Sequence, residues 1–357
     1  MLTKPLRILA FLQELPETEI HLHMEAMISI DTILMLLQKN KLCEKLGIHN
    51  EDEIYEKFEV KNINDFIQVF YLIQSVFCEE EDFRYLVKDV KRYCKRNNLY
   101  YAEIFLAPTK FIKNGLSFEK FINIIDYELK KNDEEIAHNV EIKLLIDVSR
   151  NYGTENAMNN LDLVINNKTD SIIGIGIGGA ENLPGAEAGN YKKVFDKAVD
   201  NGLKVVAHAG EVTGPELIWE TLKELNVSRI GHGISAIYDE KLMDYLKERQ
   251  IPLEICPTSN IFTQKYVKEL SKHPIREFYD RGLFVTVNCD DPSVFGVELN
   301  DEYLNLYKYC NFTIPEIIVL IKNNLYATFL PKEEKDRRWK NVIQEIKRLK
   351  IKYNIMT

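Results

Sequence analysis

The chain has 357 residues, long enough to bury a large core without disulfide or metal staples, so the mini-protein classes are excluded. A formal charge of −9 and a pI near 5.5 argue against a polyanion-binding surface, and nucleic acid is not an expected partner. Hydrophobic residues at 45%, with 16 Gly and 11 Pro, match a soluble globular chain rather than a collagen-like or disordered one.

In chain order, the apolar run from Ile8 to Leu12 is too short for a signal-peptide core, and no small-residue cleavage site follows it. Short β-branched or aromatic runs then recur at residues 18–23, 99–107, 141–148, 171–177, 204–208, 229–232, 252–256 and 283–288. Amphipathic stretches such as 190–201, 215–225 and 239–249 lie between them, each long enough to cross back over a sheet. Eight strands with intervening helices predict an α/β chain closed into a (β/α)8 TIM barrel; a doubly wound open sheet shares the same local signature.

Between the first two strands, residues 32–97 carry helical periodicity at Phe66, Val69, Phe70, Ile73 and Phe77, which predicts a helical insertion capping one end of the barrel. The apolar stretch 317–321 is far below membrane-spanning length. A basic C-terminal helix over 331–350, apolar at Trp339, Val342, Ile343, Ile346 and Leu349, is expected to dock on the outside. Six cysteines without a CxxC pair read as reduced thiols of a cytoplasmic protein. With no repeat, linker or low-complexity tract, residues 1–357 read as one domain.

His21 and His23 are one residue apart on the first predicted strand, so both side chains leave the same face about 7 Å apart at the backbone. A pair of this kind decides nothing alone. His208, followed by Ala209, Gly210 and Glu211, ends another strand; His232 ends a third, and Asp290 and Asp291 follow the last. A parallel barrel gathers its active site at these carboxyl ends. Four of the seven histidines therefore sit where a catalytic metal with an open position would be built, while His49, His138 and His273 read as surface or capping residues. Imidazoles with one carboxylate favour Zn²⁺ over Mg²⁺ or Ca²⁺, although the same donors accept iron or manganese. Such a site makes hydrolysis the default chemistry.

Gly174, Gly176 and Gly179 satisfy a GxGxxG pattern after a strand, but the segment continues as a loop through Pro184 and Gly185 instead of opening a helix. The dinucleotide reading fails on that context. The glycines are instead expected to let backbone approach a flat ligand.

These residues resemble the adenosine deaminase family of metal-dependent amidohydrolases. The resemblance rests on His21-Leu-His23, Gly178-Gly179-Ala-Glu181, His208-Ala-Gly-Glu211, the segment from Ser228 to Gly233, that from Cys256 to Asn260, and Asn288-Cys-Asp290-Asp291-Pro292. It implies that His21, His23, His208 and Asp290 hold one Zn²⁺ per chain. It further implies that Glu211 protonates purine N1, that His232 orients and helps deprotonate the attacking water, that Asp291 holds that water and the N7 side, and that the Gly179 N–H meets N3. The implied activity is hydrolytic removal of the C6 amino group of an adenosine-type nucleoside, in the EC 3.5.4 class.

Three departures bear on substrate. Glu25 and Ala26 stand where many adenosine deaminases have Asp and Gly, with the carboxylate expected at the ribose. Phe105 replaces an Arg common in the family and resembles the adenine deaminase branch. The segment from His208 to Leu222 resembles members that deaminate 6-aminodeoxyfutalosine, a modified adenosine of menaquinone synthesis. A non-catalytic purine-binding protein on this scaffold would lack a catalytic group, and none is missing. A phosphotriesterase-like or dihydroorotase-like hydrolase commonly needs a Lys on the fourth strand, and residues 171–179 contain none.

Overall fold

The computed structural model describes residues 4–60, 63–132, 136, 139–263 and 265–355. Eight strands, β1 (Glu17–His23), β2 (Leu99–Leu106), β3 (Glu141–Asp147), β4 (Ile172–Ile177), β5 (Lys204–Ala209), β6 (Ile230–His232), β7 (Leu253–Ile255) and β8 (Val285–Val287), pair in sequence order. Every neighbouring pair is parallel. The ring closes just beyond β8: the His23 N–H donates to Asp290 O at 2.9 Å and the Asp290 N–H to His21 O at 3.1 Å. The Asn288 side chain extends this seam by accepting from the Ile20 N–H at 3.1 Å. The closure thus places Asp290 directly beside the two β1 histidines.

The predicted strands are all present, although β6, β7 and β8 are three residues each. Branched apolar side chains fill the layers between strands and helices, which is why nearly every strand residue is buried. Helices Pro215–Glu224 and Glu240–Arg249 follow the predicted spans closely, while the stretch at 190–201 begins with a tight turn, Ala188–Tyr191, before its helix Lys192–Asp200.

The insertion between β1 and β2 is helical, with Ile30–Lys39, Cys43–Leu46, Glu51–Lys57, Ile63–Ser75 and Phe83–Arg96. The C-terminal helix, Lys332–Tyr353, packs on Ile314–Ala327 and on the N-terminal helix Lys4–Glu14 through Val342, Ile346 and Leu349. Helix Lys4–Glu14 had no expectation attached. Its apolar run serves that packing, with Ile8, Phe11 and Leu12 buried.

The β4 glycines do a different job from the one expected. A Cβ on Gly174 would collide with the Lys204 backbone, and one on Gly176 with the Phe105 ring. They let neighbouring parts of the barrel close up on each other, and only Gly179 reaches a ligand-accessible wall.

Candidate active site

A cavity with about 780 Å³ of empty space, counted out to its open mouth, lies at the carboxyl ends of the strands. His23, Gly179, His208, Glu211, His232, Asp290 and Asp291 all line it, and His21 lies fully buried beneath them.

His21, His23, His208 and Asp290 converge. Nε2 of His21 is 3.4 Å and Nε2 of His23 3.2 Å from Asp290 Oδ1, while Nε2 of His23 is 3.3 Å from Nε2 of His208. Ligands about 2.0–2.1 Å from a tetrahedral ion stand about 3.3–3.4 Å apart, so these atoms match the edges of such a shell. His21 Nε2 and Asp290 Oδ1 are buried without a hydrogen-bond partner, a costly arrangement that a cation between them resolves. The donor set therefore fits a divalent metal.

The supporting hydrogen bonds select the ring nitrogens that face this centre. His21 Nδ1 donates to Glu254 Oε2 at 2.7 Å, and His208 Nδ1 to Ile177 O at 3.1 Å, leaving both Nε2 atoms free as ligands. Glu254 is in turn paired with Arg229, which also meets Glu103 at 2.6 Å, so a buried ionic chain runs down the barrel from His21. Ser259 Oγ donates to Asp290 Oδ2 at 2.7 Å. Burial pushes the Asp290 carboxyl up, but the close imidazoles of His21, His23 and His232 outweigh it and hold the group well below the usual range. Phe105 stacks on His23 at 5.2 Å and meets His21 edge-on at 5.0 Å, forming the apolar floor under the cluster.

His232 and Asp290 have φ of +59° and +67°. A non-glycine residue in the left-handed region costs on the order of 1–3 kcal/mol, and here the strain turns two polar side chains inward as their strands end.

Glu211 is raised well above the ordinary carboxylate range, first by burial and then by Asp290 and Glu181. Its Oε2 is 3.6 Å from His232 Nε2. The loop carrying it is clamped by Glu181, whose carboxylate accepts from the N–H groups of Glu211, Val212 and Thr213 at 3.2, 3.0 and 2.9 Å. Both carboxylate oxygens of Asp291 are buried and unpartnered. Gly179 has φ +85°, and a Cβ there would run into the Asn151 side chain, so only glycine fits at this point of the cavity wall.

Glu25 sits differently from the expectation. The tight turn Glu25–Met27 directs its side chain away from the cavity wall, where Oε1 accepts from the Ala107 N–H at 2.9 Å and Gln74 Nε2 at 3.1 Å. Gln74 and Ala107 line the cavity in its place. Burial raises the Glu25 carboxyl to about 7.

Of the three histidines set aside, His49 is exposed and His138 lies outside the described residues. His273 is corrected: it is 4% exposed and bonded to Asn260, next to His232. Its polar sequence neighbours misled because Leu270–Lys272 is a surface turn that plunges inward at His273. The sequence reading also missed Phe66, Phe70, Tyr71 and Gln74 of helix Ile63–Ser75, which wall the cavity, and Lys110 and Tyr152, which line it. Only Phe66 and Phe70 carried a signal, their helical period.

Residues 16–345 match the family model described as adenosine deaminase. The chain belongs to the adenosine deaminase family. It is a hydrolytic deaminase, and the metal-binding donor set described above accords with that class. An aminodeoxyfutalosine deaminase of Streptomyces avermitilis is 32% identical over 92% of this chain and 90% of its own length. An adenine deaminase of Crocosphaera subtropica is 33% identical over 91% of this chain and 98% of its own. Among solved structures, an adenine deaminase from Arthrobacter aurescens superposes with a TM-score of 0.84 at 28% identity, covering 94% of this chain and 98% of that one. Among the described residues, no helix is long and apolar enough to cross a membrane.

Proposed function

We propose that this chain removes the 6-amino group of an adenosine-type purine nucleoside by hydrolysis, releasing ammonia and leaving an oxo group at C6. The observation that carries the reading is the buried Glu211 carboxyl, its proton affinity raised by burial, facing a cavity floored by His21, His23, His208 and Asp290. We assign those four residues to one Zn²⁺, which when bound supplies a Lewis acid that makes a water nucleophilic near neutral pH.

The remaining work falls to the protein. Glu211, whose hold on its proton is strengthened by burial, donates to ring N1 as water adds to C6, relieving negative charge that develops only in the transition state. The Gly179 N–H bonds N3 and fixes the ring in its plane. Asp291, with two unpartnered oxygens at the cavity wall, accepts hydrogen bonds from the water and from the N7 side. His232 orients the water from the opposite wall. Phe66, Phe70 and Phe295 exclude solvent from the ring faces.

The cavity lining continues past these groups to Lys110, Tyr71 and Tyr152. That favours a nucleoside, and the aminodeoxyfutalosine deaminase relative acts on one such modified adenosine. A second reading, free adenine, is favoured by Glu25: bonded to Gln74 and Ala107, it does not itself line the cavity where a ribose contact was expected. Ammonia release from adenosine, adenine, adenosine monophosphate and 6-aminodeoxyfutalosine separates the two. Turnover of adenine alone overturns the nucleoside reading, and no release from any of them overturns both.

A further inference from the structure

A buried relay behind His232 begins at a group whose direction is beyond doubt. The backbone N–H of Ile275 donates to His273 Nδ1 at 3.1 Å. A backbone N–H only donates, so Nδ1 of His273 is an acceptor and the neutral ring carries its proton on Nε2. That Nε2–H lies 3.2 Å from Asn260 Oδ1. The Asn260 carbonyl is thereby oriented toward His273, which turns its amide NH2 toward His232 Nδ1 at 3.1 Å. An NH2 group has no lone pair to offer, so His232 Nδ1 must accept. The ring's proton is then on Nε2, the nitrogen that faces Glu211 Oε2 at 3.6 Å and Asp290 Oδ2 at 3.8 Å. All three relay side chains are under 5% exposed, so water does not compete for these bonds.

We propose that His273 is a positioning residue which, through Asn260, locks His232 as the Nε2–H tautomer, so that His232 meets the reaction centre as a hydrogen-bond donor and not as a base. A neutral imidazole in this form steadies the oxygen of an attacking water but has no lone pair at Nε2 with which to take its proton. The tautomer stands on the hydrogen-bond directions, and its catalytic meaning rests on the deaminase reading of the site. Under this proposal His232 orients the water, and the deprotonating role that the resemblance implies for it passes to another group.

Nitrogen-15 NMR of holoenzyme labelled at histidine tests this directly, with the His232 resonances assigned by their loss in His232→Gln. The expected wild-type spectrum shows an unprotonated Nδ1 and a protonated Nε2 for His232, and the same pattern for His273. A protonated Nδ1 with a bare Nε2 at His232 overturns the proposal, and this reading needs no variant of the relay to fold. Asn260→Asp replaces the donor by an acceptor. It is expected to move the His232 proton to Nδ1 and lower kcat about 10²-fold or more with KM little changed, as wrong-tautomer variants of other catalytic histidines do.

His273→Phe, which frees the Asn260 amide to rotate, is expected to lower kcat, and His273→Gln, which can both accept from Ile275 and donate to Asn260, to restore most of it. Equal losses in the two variants, with the His232 resonances unmoved, reduce His273 to a packing residue and overturn its assignment. A wild-type spectrum as expected, in a protein that releases ammonia from no purine, leaves the tautomer standing and removes only its catalytic meaning.

Discussion

Glu211 is a carboxyl whose surroundings favour its protonated form. Burial is the largest cause, and the neighbouring carboxyls of Asp290 and Glu181 add to it. Gln at this position preserves shape and the amide-to-carboxyl volume but donates no acidic proton. Glu211→Gln is therefore expected to lower kcat about 10²-fold or more while KM and metal content stay near wild type. Steady-state kinetics with metal analysis on the same preparation checks it; a loss confined to KM would remove Glu211 as the proton donor. A second residue-scale expectation concerns the metal shell. The ligand atoms stand at tetrahedral edge distances and two of them are orphaned without a cation. Purified protein is expected to carry about one zinc ion per chain, and Asp290→Ala to lose it. Elemental analysis finding two tightly held ions per chain would overturn the mononuclear assignment.

At the scale of elements, the cavity has one wall from the barrel and one from outside it. Helix Ile63–Ser75, part of the insertion, brings Phe66 onto Phe295 at 5.7 Å, and Phe295 stacks on Phe262 at 4.9 Å. These rings close the side of the cavity without touching the metal-binding groups, so their contribution is to binding. Phe66→Ala is expected to raise KM about 10-fold, through lost aromatic contact and burial, with kcat and metal content little changed. A fall in kcat at constant KM would mean that the helix acts on the chemistry instead. This wall also marks where sequence reading stops. The strand-end positions of His21, His208, His232 and Asp290 were legible because a parallel barrel has only one functional end, and any polar residue at a strand's carboxyl end belongs to it. Helical period at Phe66 and Phe70 identifies a helix but not the surface it covers. The same limit hid His273: burial across 13 residues of chain from Asn260 is a tertiary fact with no local pattern behind it. Glu25 shows the converse, since its place in a family motif suggested the ribose whereas a tight turn directs it to Ala107.

The whole molecule carries a set of buried acids that do not line the cavity, and they contribute to how its stability responds to pH. Glu302, on helix Leu299–Tyr309, is fully buried; desolvation raises it to about 8, against an ordinary 4.5, although the Thr258 N–H at 2.9 Å opposes the rise. Glu19 and Asp301 push in the same direction as burial. Glu17 at the start of β1 is raised well above its ordinary value by burial and by Glu19, and neither of its oxygens has a partner. A group whose folded pKa lies above its unfolded one contributes stability that is fully present below the unfolded value and is lost as pH rises through the folded one. For Glu302 that window runs from about 4.5 to about 8. Within it the folded chain keeps a proton that the unfolded chain releases, and one such group slopes stability downward by up to about 1.4 kcal/mol per pH unit. The chain is therefore expected to melt at progressively lower temperature between pH 5 and pH 8, roughly the window set by this shift. Glu302→Gln keeps the bond from the Thr258 N–H through its amide oxygen but cannot ionise. It is expected to flatten that slope, leaving the variant about as stable as wild type at the acid end and more stable at the alkaline end. Thermal melts of both proteins across the range check it, and two parallel curves would mean that Glu302 is ionised in the folded barrel.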